Sequence, residues 1–199
     1  VFDLSNDLQL KTLKKIIHKS NNQISFVEVP EISEFHKNNI IQGVFGMKIL
    51  ITGGTTFVSR YAAEHFVSKG EEVFVLNRNS RPQSQGVHLI NCDRLNLGNK
   101  FANEHFDLIL DITAYTDEHI KALLRSGVSF DDYIFISSSA VYPETNPQPF
   151  AENQTCGKNS VWGNYGINKL NAEKYLLDTV QNAYILRPPY FYGMYENLY

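Results

Sequence analysis

Tyr165 and Lys169 stand four residues apart in "YGINK", inside a polar stretch with helical spacing. Residues at i and i+4 share one face of a helix, so the phenol and the ammonium can meet. An ammonium beside a phenol favours the phenolate and draws the tyrosine pKa down from its ordinary value of about 10. A tyrosine tuned in this way passes a proton to or from a substrate oxygen. Three hydroxyls in a row, Ser137, Ser138 and Ser139, follow the apolar run "DYIFI" and offer a group to hold that oxygen. A Tyr-x-x-x-Lys pair taken alone is commonly a solvated surface pair. Its surroundings decide its meaning.

A second stretch, "ITGGTTFVSR" at 51–60, lies behind a buried-type strand and ahead of a helix. A tight turn opening into a helix aims backbone N–H groups and the helix dipole at a pyrophosphate. Gly53 can make that turn without a Cβ penalty, and Gly54 adds freedom. Two positions where such loops carry glycine hold Thr56 and Ser59 instead. Thr56 stands where phosphates approach the backbone, and Ser59 where helix and strand pack. A structural turn is the plain alternative; the flanking strand and helix favour a dinucleotide.

These residues need a scaffold, and the chain supplies one from Met47 onward. "MKILIT" is a short continuous apolar run, as in a strand buried on both faces. "FVSRYAAEHFVSKG" places Val58, Ala62 and Phe66 at helical spacing and puts Gly70 at a C′ position. Strands are expected in "EEVFVLNR", "VHLINCD", "FDLILDIT", "DYIFISSS" and "AYILRPP". Helices are expected in "DEHIKALLRSG" and from about Tyr165. Strands joined by crossover helices predict an α/β fold, a doubly wound Rossmann-type parallel sheet with helices on both faces. Ligands of such sheets bind beyond the carboxyl ends of the strands. The second strand ends on Asn77 and Arg78 with no acid. An acid there binds a ribose 2′-OH, whereas an arginine accommodates a 2′-phosphate. Asp93, closing the third strand, is a candidate adenine contact or a turn residue.

The bulk properties exclude other classes. Lys and Arg number 18 against 21 Asp and Glu in 199 residues, giving a formal net charge of −3. That balance gives no global reason to bind nucleic acid or an anionic membrane. No apolar run is long enough for a membrane span. The opening "VFDLSNDLQLK" has neither the basic start nor the apolar run of a secretion signal, so the cytoplasm is the default. It opens on Val1 rather than Met, and sequence upstream is expected. Cys92 and Cys156 suggest no disulfide framework, and the histidines lack metal-ligand spacing, so no metal is expected.

From Met47 to Gly193 the chain resembles the extended short-chain dehydrogenase/reductase superfamily, and within it the NAD-dependent epimerase/dehydratase family. "TGGTTFVSR", "YIFISSSAVYPE", "YGINKLNAEKYL" and "YILRPPYFYG" follow one another in that family's order. "FVLNRN" and "LDITAY" look most like its atypical branch, which includes chloroplast stem-loop-binding proteins. The resemblance implies an NAD(P)-dependent oxidoreductase acting on a nucleotide sugar by hydride transfer. It makes Tyr165 the acid/base, Lys169 the residue that tunes it and holds the nicotinamide ribose, and Ser138 the hydroxyl that orients substrate. It places Gly53, Thr55, Thr56, Phe57 and Val58 around the pyrophosphate of NAD or NADP, and Asn77 and Arg78 at the adenosine ribose. Cys92 and Asp93 fall by the adenine, Thr113 and Ala114 along the cofactor, and Pro188 against the nicotinamide. It also implies a homodimer formed through two helices per subunit. Departures from the pattern are Thr56, Ser59 and "VYPE", with Pro143 where glycine is commoner.

Members of the family continue past the equivalent of "RPPYFYG" into a smaller substrate lobe. Residues 1–46, "VFDLS" through "QISFVEVP", look like the strand–helix–strand of that lobe placed ahead of the Rossmann domain at 47–199; an unrelated amphipathic extension fits the periodicity equally. The rival function is a non-catalytic NAD(P)-binding or RNA-binding protein on the same scaffold.

Overall fold

The computed structural model describes residues 46–195 and, at the backbone level, the dipeptides Phe2–Asp3, Lys19–Ser20 and Gln23–Ile24. The strand–helix–strand expected across residues 1–46 otherwise lies outside the described residues. In chain order the elements are β1 (Lys48–Thr52), α1 (Phe57–Ser68), β2 (Glu72–Asn77), β3 (His88–Asn91), β4 (His105–Asp111) and α2 (Asp117–Arg125), then β5 (Ser129–Ile136), α3 (Asn164–Thr179) and β6 (Ala183–Leu186). The six strands form one parallel sheet in the order β3-β2-β1-β4-β5-β6. This is the doubly wound Rossmann arrangement, with its topological switch between β1 and β4.

Alternation along β1 explains why its sequence is apolar throughout. Ile49 and Ile51 face one side, buried with Val73, Val75 and Ala63 of α1. Leu50 faces the other, buried with Phe106, Ile109, Ile120 and Leu123 and with Leu176 of α3. Both faces are covered, so neither tolerates the polar residue that a half-exposed strand would carry. Gly70 follows the C-cap of α1 with φ +82, the left-handed conformation expected of it. Thr116 caps α2 in a reciprocal pair with His119, a histidine doing what glutamate or glutamine usually does.

Five strands end earlier than expected, β2 at Asn77 and β4 at Asp111 among them, and the other three bear on the site. β5 stops at Ile136, so the serines lie past the strand. Ser138 caps a 3-10 turn at Ser139–Val141, its Oγ accepting from the Ala140 N–H at 3.1 Å. Such a side-chain bond to the backbone two residues on turns the chain out of the sheet. β6 ends at Leu186, short of the two prolines, which lack the N–H that a ladder needs. β3 ends at Asn91, ahead of Cys92 and Asp93.

Candidate functional site

Every strand end that matters meets at the carboxyl edge of the sheet. The loop after β1 turns through Gly53 (φ +102) and Gly54 (φ +97), both in conformations that L side chains rarely adopt. A Cβ on Gly53 would come 2.8 Å from Ser59 Oγ and 3.1 Å from Thr113 Cγ2. One on Gly54 would come 2.5 Å from Val75 Cγ1. Both glycines are therefore required. Thr56 is a different case: its φ of −134° and ψ of 144° are ordinary extended backbone, open to any residue. Ser59 is buried, and its Oγ donates to the Thr56 carbonyl at 2.8 Å, so the hydroxyl is satisfied where a glycine would have been bare. No side chain caps the N-terminus of α1, whose first turn carries no acid. That leaves an anion-attracting helix end behind the glycine turn.

Asn77 ties this loop to β2. Its Nδ2 donates to the Gly53 carbonyl at 2.7 Å, and its Oδ1 accepts from the Asn79 N–H at 2.8 Å. The Arg78 side chain next to it is exposed. Thr55 and Val58 are half-buried, while Phe57 is buried with φ +30. At the end of β3, Asp93 Oδ1 accepts from the Leu95 N–H at 2.9 Å, as a turn residue does, and Cys92 is half-buried.

The other half of the site comes from β4, β5, α3 and β6. Lys169 is buried, and its Nζ donates to the Ala114 carbonyl at 2.7 Å and the Ile136 carbonyl at 2.8 Å. Burial lowers its pKa to about 8; Asp111 and Glu173 pull it up and Arg94 pushes it down. Tyr165 sits half-buried in the first turn of α3 beside the Ser138 hydroxyl. The lowering of its pKa expected from Lys169 is not what the protein alone produces. Burial raises the Tyr165 pKa, the Ser138 hydroxyl opposes the rise, and Lys169 has turned its protons to two carbonyls. The Lys169 ammonium lies 6.0 Å from the centre of the Tyr165 ring. Tyr115 and Trp162, both about half exposed, flank that ring at centroid distances of 6.3 and 6.2 Å.

A buried ionic network braces this half. Glu173 on α3 accepts from the Ser137 hydroxyl and from Arg187 Nε and Nη2, the latter at 2.6 Å. Arg187 Nη1 donates to Tyr142 Oη at 2.7 Å. Pro188, buried beside it, accepts the Ser139 N–H at 3.1 Å. Ser138, Tyr165, Lys169 and Pro188 are thus locked together through their neighbours. Sequence reading did not single out Glu173 or Arg187. It also missed Arg94, whose guanidinium makes a bidentate pair with fully buried Asp111 at 2.9 and 2.8 Å. Away from this edge, His105, Asp107 and Asp131 bring ligand-type atoms within 4.8 Å of one another where β4 and β5 begin. Asp107 there already accepts the Lys48 N–H.

A parallel sheet with a glycine turn ahead of an uncapped helix, and a Ser–Tyr–Lys group across the switch point, defines a Rossmann domain of the short-chain dehydrogenase/reductase kind. More narrowly, the chain belongs to the NAD dependent epimerase/dehydratase family, whose model matches residues 49–122 and 103–198. A curated relative, chloroplast stem-loop binding protein of 41 kDa b from Arabidopsis thaliana, is 27% identical over 165 residues, covering 73% of this chain and 42% of its own length. Among solved structures, a putative epimerase from Burkholderia cenocepacia J2315 aligns with a TM-score of 0.63 at 19% identity, covering 74% of this chain and 55% of that one. A UDP-glucose 4-epimerase aligns with a TM-score of 0.61 at 21% identity, covering 71% and 51%. The Bordetella bronchiseptica enzyme WbmG in complex with NAD and UDP gives 0.58 at 19%, covering 71% and 53%. The chain therefore spans about half the length of these proteins. Among the described residues no helix is long and apolar enough to cross a membrane.

Proposed function

We propose that this chain is the cofactor-binding half of an NAD(P)-dependent epimerase/dehydratase-type oxidoreductase that acts on a nucleotide sugar. The observation that carries the reading is Tyr165 beside the Ser138 hydroxyl, with Lys169 one turn further along the same helix, at the carboxyl edge of the sheet. Nucleotide-sugar enzymes among the structural neighbours support the substrate class. The glycine turn fits a dinucleotide, because Gly53 and Gly54 hold left-handed backbone ahead of a helix N-terminus that no side chain caps. In this reading Gly53 to Val58 hold the pyrophosphate, Asn77 and Arg78 the adenosine ribose, and Cys92 with Asp93 the adenine. Thr113 and Ala114 line the path to the nicotinamide, which Pro188 backs. The absence of an acid beside Arg78 supports acceptance of a 2′-phosphate.

When bound, nicotinamide accepts or donates the hydride. The chain's own residues handle the proton: Tyr165 Oη gives it to or takes it from a sugar oxygen that Ser138 Oγ holds. Lys169, fixed by two carbonyls, presents its ammonium on the same helix face. Incubating the protein with NAD or NADP and a panel of UDP-hexoses tests this reading, with reduced nicotinamide followed by absorbance and sugars by chromatography. Cofactor binding with neither signal would leave the non-catalytic alternative, which the stem-loop-binding name of the curated relative favours. A salt-dependent RNA affinity would mark that alternative directly.

Two further outcomes are expected of the cofactor site. Lys169 is an ammonium below its pKa of about 8 and neutral above it, so cofactor affinity falls as pH rises through that value. Lys169→Met flattens the profile at its weak end; isothermal titration across the pH range checks both. Thr56→Gly keeps or tightens cofactor binding, because the extended backbone needs no glycine and the threonine makes no capping bond. Its stability should fall by less than about 1 kcal/mol. A large loss of affinity on titration would instead identify the Thr56 hydroxyl as a phosphate ligand.

A further inference from the structure

Arg94 and Asp111 are joined although their strands are not neighbours. Arg94 follows β3, and Asp111 closes β4; β2 and β1 lie between them in the sheet. At the usual strand spacing those ends stand about 14 Å apart. The segment after β3 must therefore fold back across the carboxyl edge for the guanidinium to reach the carboxylate. There Arg94 Nη1 also donates to Thr113 Oγ1 at 3.2 Å, and Nη2 to the His119 carbonyl at 3.0 Å. Its Nε is buried without a hydrogen-bond partner.

Asp111 is wholly buried and fully engaged. It accepts from Thr52 Oγ1 at 2.7 Å, from Tyr133 Oη at 2.5 Å and from the Ala114 N–H at 3.1 Å, besides Arg94. Thr52 Oγ1 in turn accepts the N–H groups of Ile112 and Thr113 at 2.9 and 3.0 Å. The backbone of residues 112–114 is thus tied down at each amide, and its last carbonyl, on Ala114, receives the Lys169 ammonium. A buried ion pair with an orphaned donor is a poor way to gain stability, since apolar residues of similar volume do as well or better. Its distinctive product here is geometric.

We propose that the Arg94–Asp111 pair is the positioning element of the crevice, a strap across β2 and β1 that fixes Thr113 and Ala114 and, through the Ala114 carbonyl, Lys169. This inference rests on the cofactor site proposed above. Removing Arg94 alone strands a buried carboxylate, and removing the Asp111 charge alone strands a guanidinium, so either single variant is expected to unfold at lower temperature. The double variant Arg94→Met/Asp111→Asn carries no unpaired charge, and it separates stability from positioning.

The groups facing Lys169 are Asp111 from β4, Arg94 from beyond β3, His119 from α2, Glu173 and Tyr165 from its own helix, and the Tyr115 ring. Of the charges, Asp111 exerts the strongest pull toward the ammonium form and Arg94 the opposing push. Losing both, together with a fixed Ala114 carbonyl, moves the Lys169 titration downward.

Trp162, the chain's single tryptophan, flanks Tyr165 and serves as the fluorescence reporter. NAD and NADP are titrated into the wild-type chain and the double variant across pH, with thermal unfolding followed in parallel and calorimetry as an independent measure. The expected result is a double variant that melts near the wild-type temperature but binds cofactor about tenfold more weakly, with its alkaline midpoint below the wild-type one. Wild-type affinity and an unchanged midpoint in a folded double variant would overturn the strap and leave the cofactor site standing. No binding of NAD or NADP to the wild-type chain by either method would overturn both. A double variant that fails to fold would show the pair to be structural and would also overturn the strap; Arg94→Lys then reports whether charge alone restores the fold.

Discussion

Tyr165→Phe should abolish turnover while leaving NAD or NADP affinity within about twofold, since removal of a general acid/base typically costs 10²–10⁴-fold in rate without touching binding. The substitution deletes one oxygen from a half-buried ring that keeps its packing against Tyr115 and Trp162. What is lost is the interaction of the phenol hydroxyl with Ser138. That interaction belongs to the side of the crevice where substrate oxygen would sit, and the proposed phosphate and adenosine contacts come from β1, β2 and β3. Rate and affinity therefore part company. Single-turnover absorbance for hydride transfer and calorimetry for cofactor binding make the comparison. Retained turnover would remove Tyr165 from the mechanism, and a parallel collapse of affinity would assign it to the cofactor rather than to proton transfer.

Gly166→Ala should be nearly as damaging by a different route. Gly166 lies in the first turn of α3, directly after Tyr165, and it is buried against the 3-10 turn that Ser138 caps. A Cβ there would fall well inside contact distance of the Ala140 carbonyl oxygen, and 3.0 Å from its carbon. Backbone does not swing aside as a flexible side chain does, so helix and turn must separate. Alanine's better helix propensity is worth about 1 kcal/mol. Overpacking costs about 1–3 kcal/mol and prevails. A displacement on the order of 1 Å between Tyr165 and Ser138 would lower turnover about 10²-fold. Cofactor affinity, for which the proposed contacts lie mainly in the β1 and β2 loops, should change far less. A variant that melts and turns over like wild type would show that α3 and the turn are not held at their present separation.

Much of this was legible in the chain because the relevant signals are local. Apolar runs of strand length, helical spacing in "YAAEHF" and a glycine turn between "MKILI" and a helix are properties of adjacent residues. They predict the parallel sheet and the side of it on which ligands bind. The spacing of Tyr165 and Lys169 likewise places both on one helix face without any knowledge of their neighbours. Strand ends were less legible, since Ser138 leaves the sheet by a side-chain bond that competes with the ladder. The threonine at the second glycine position departs from the usual loop pattern. Its extended backbone shows that it is compatible with the turn.

What the sequence by itself determined is the fold class and the residue types gathered at the carboxyl edge, because periodicity and turn chemistry act over a few residues. What only the tertiary structure decided is the partnership of those residues: Lys169 with the Ala114 and Ile136 carbonyls, Glu173 with Ser137 and Arg187, and Arg94 with Asp111 across two intervening strands. Charged and polar groups carry no periodic mark of their partners. Each pairing exists because burial left those groups no water to bond, and the strand order brought one particular partner within reach.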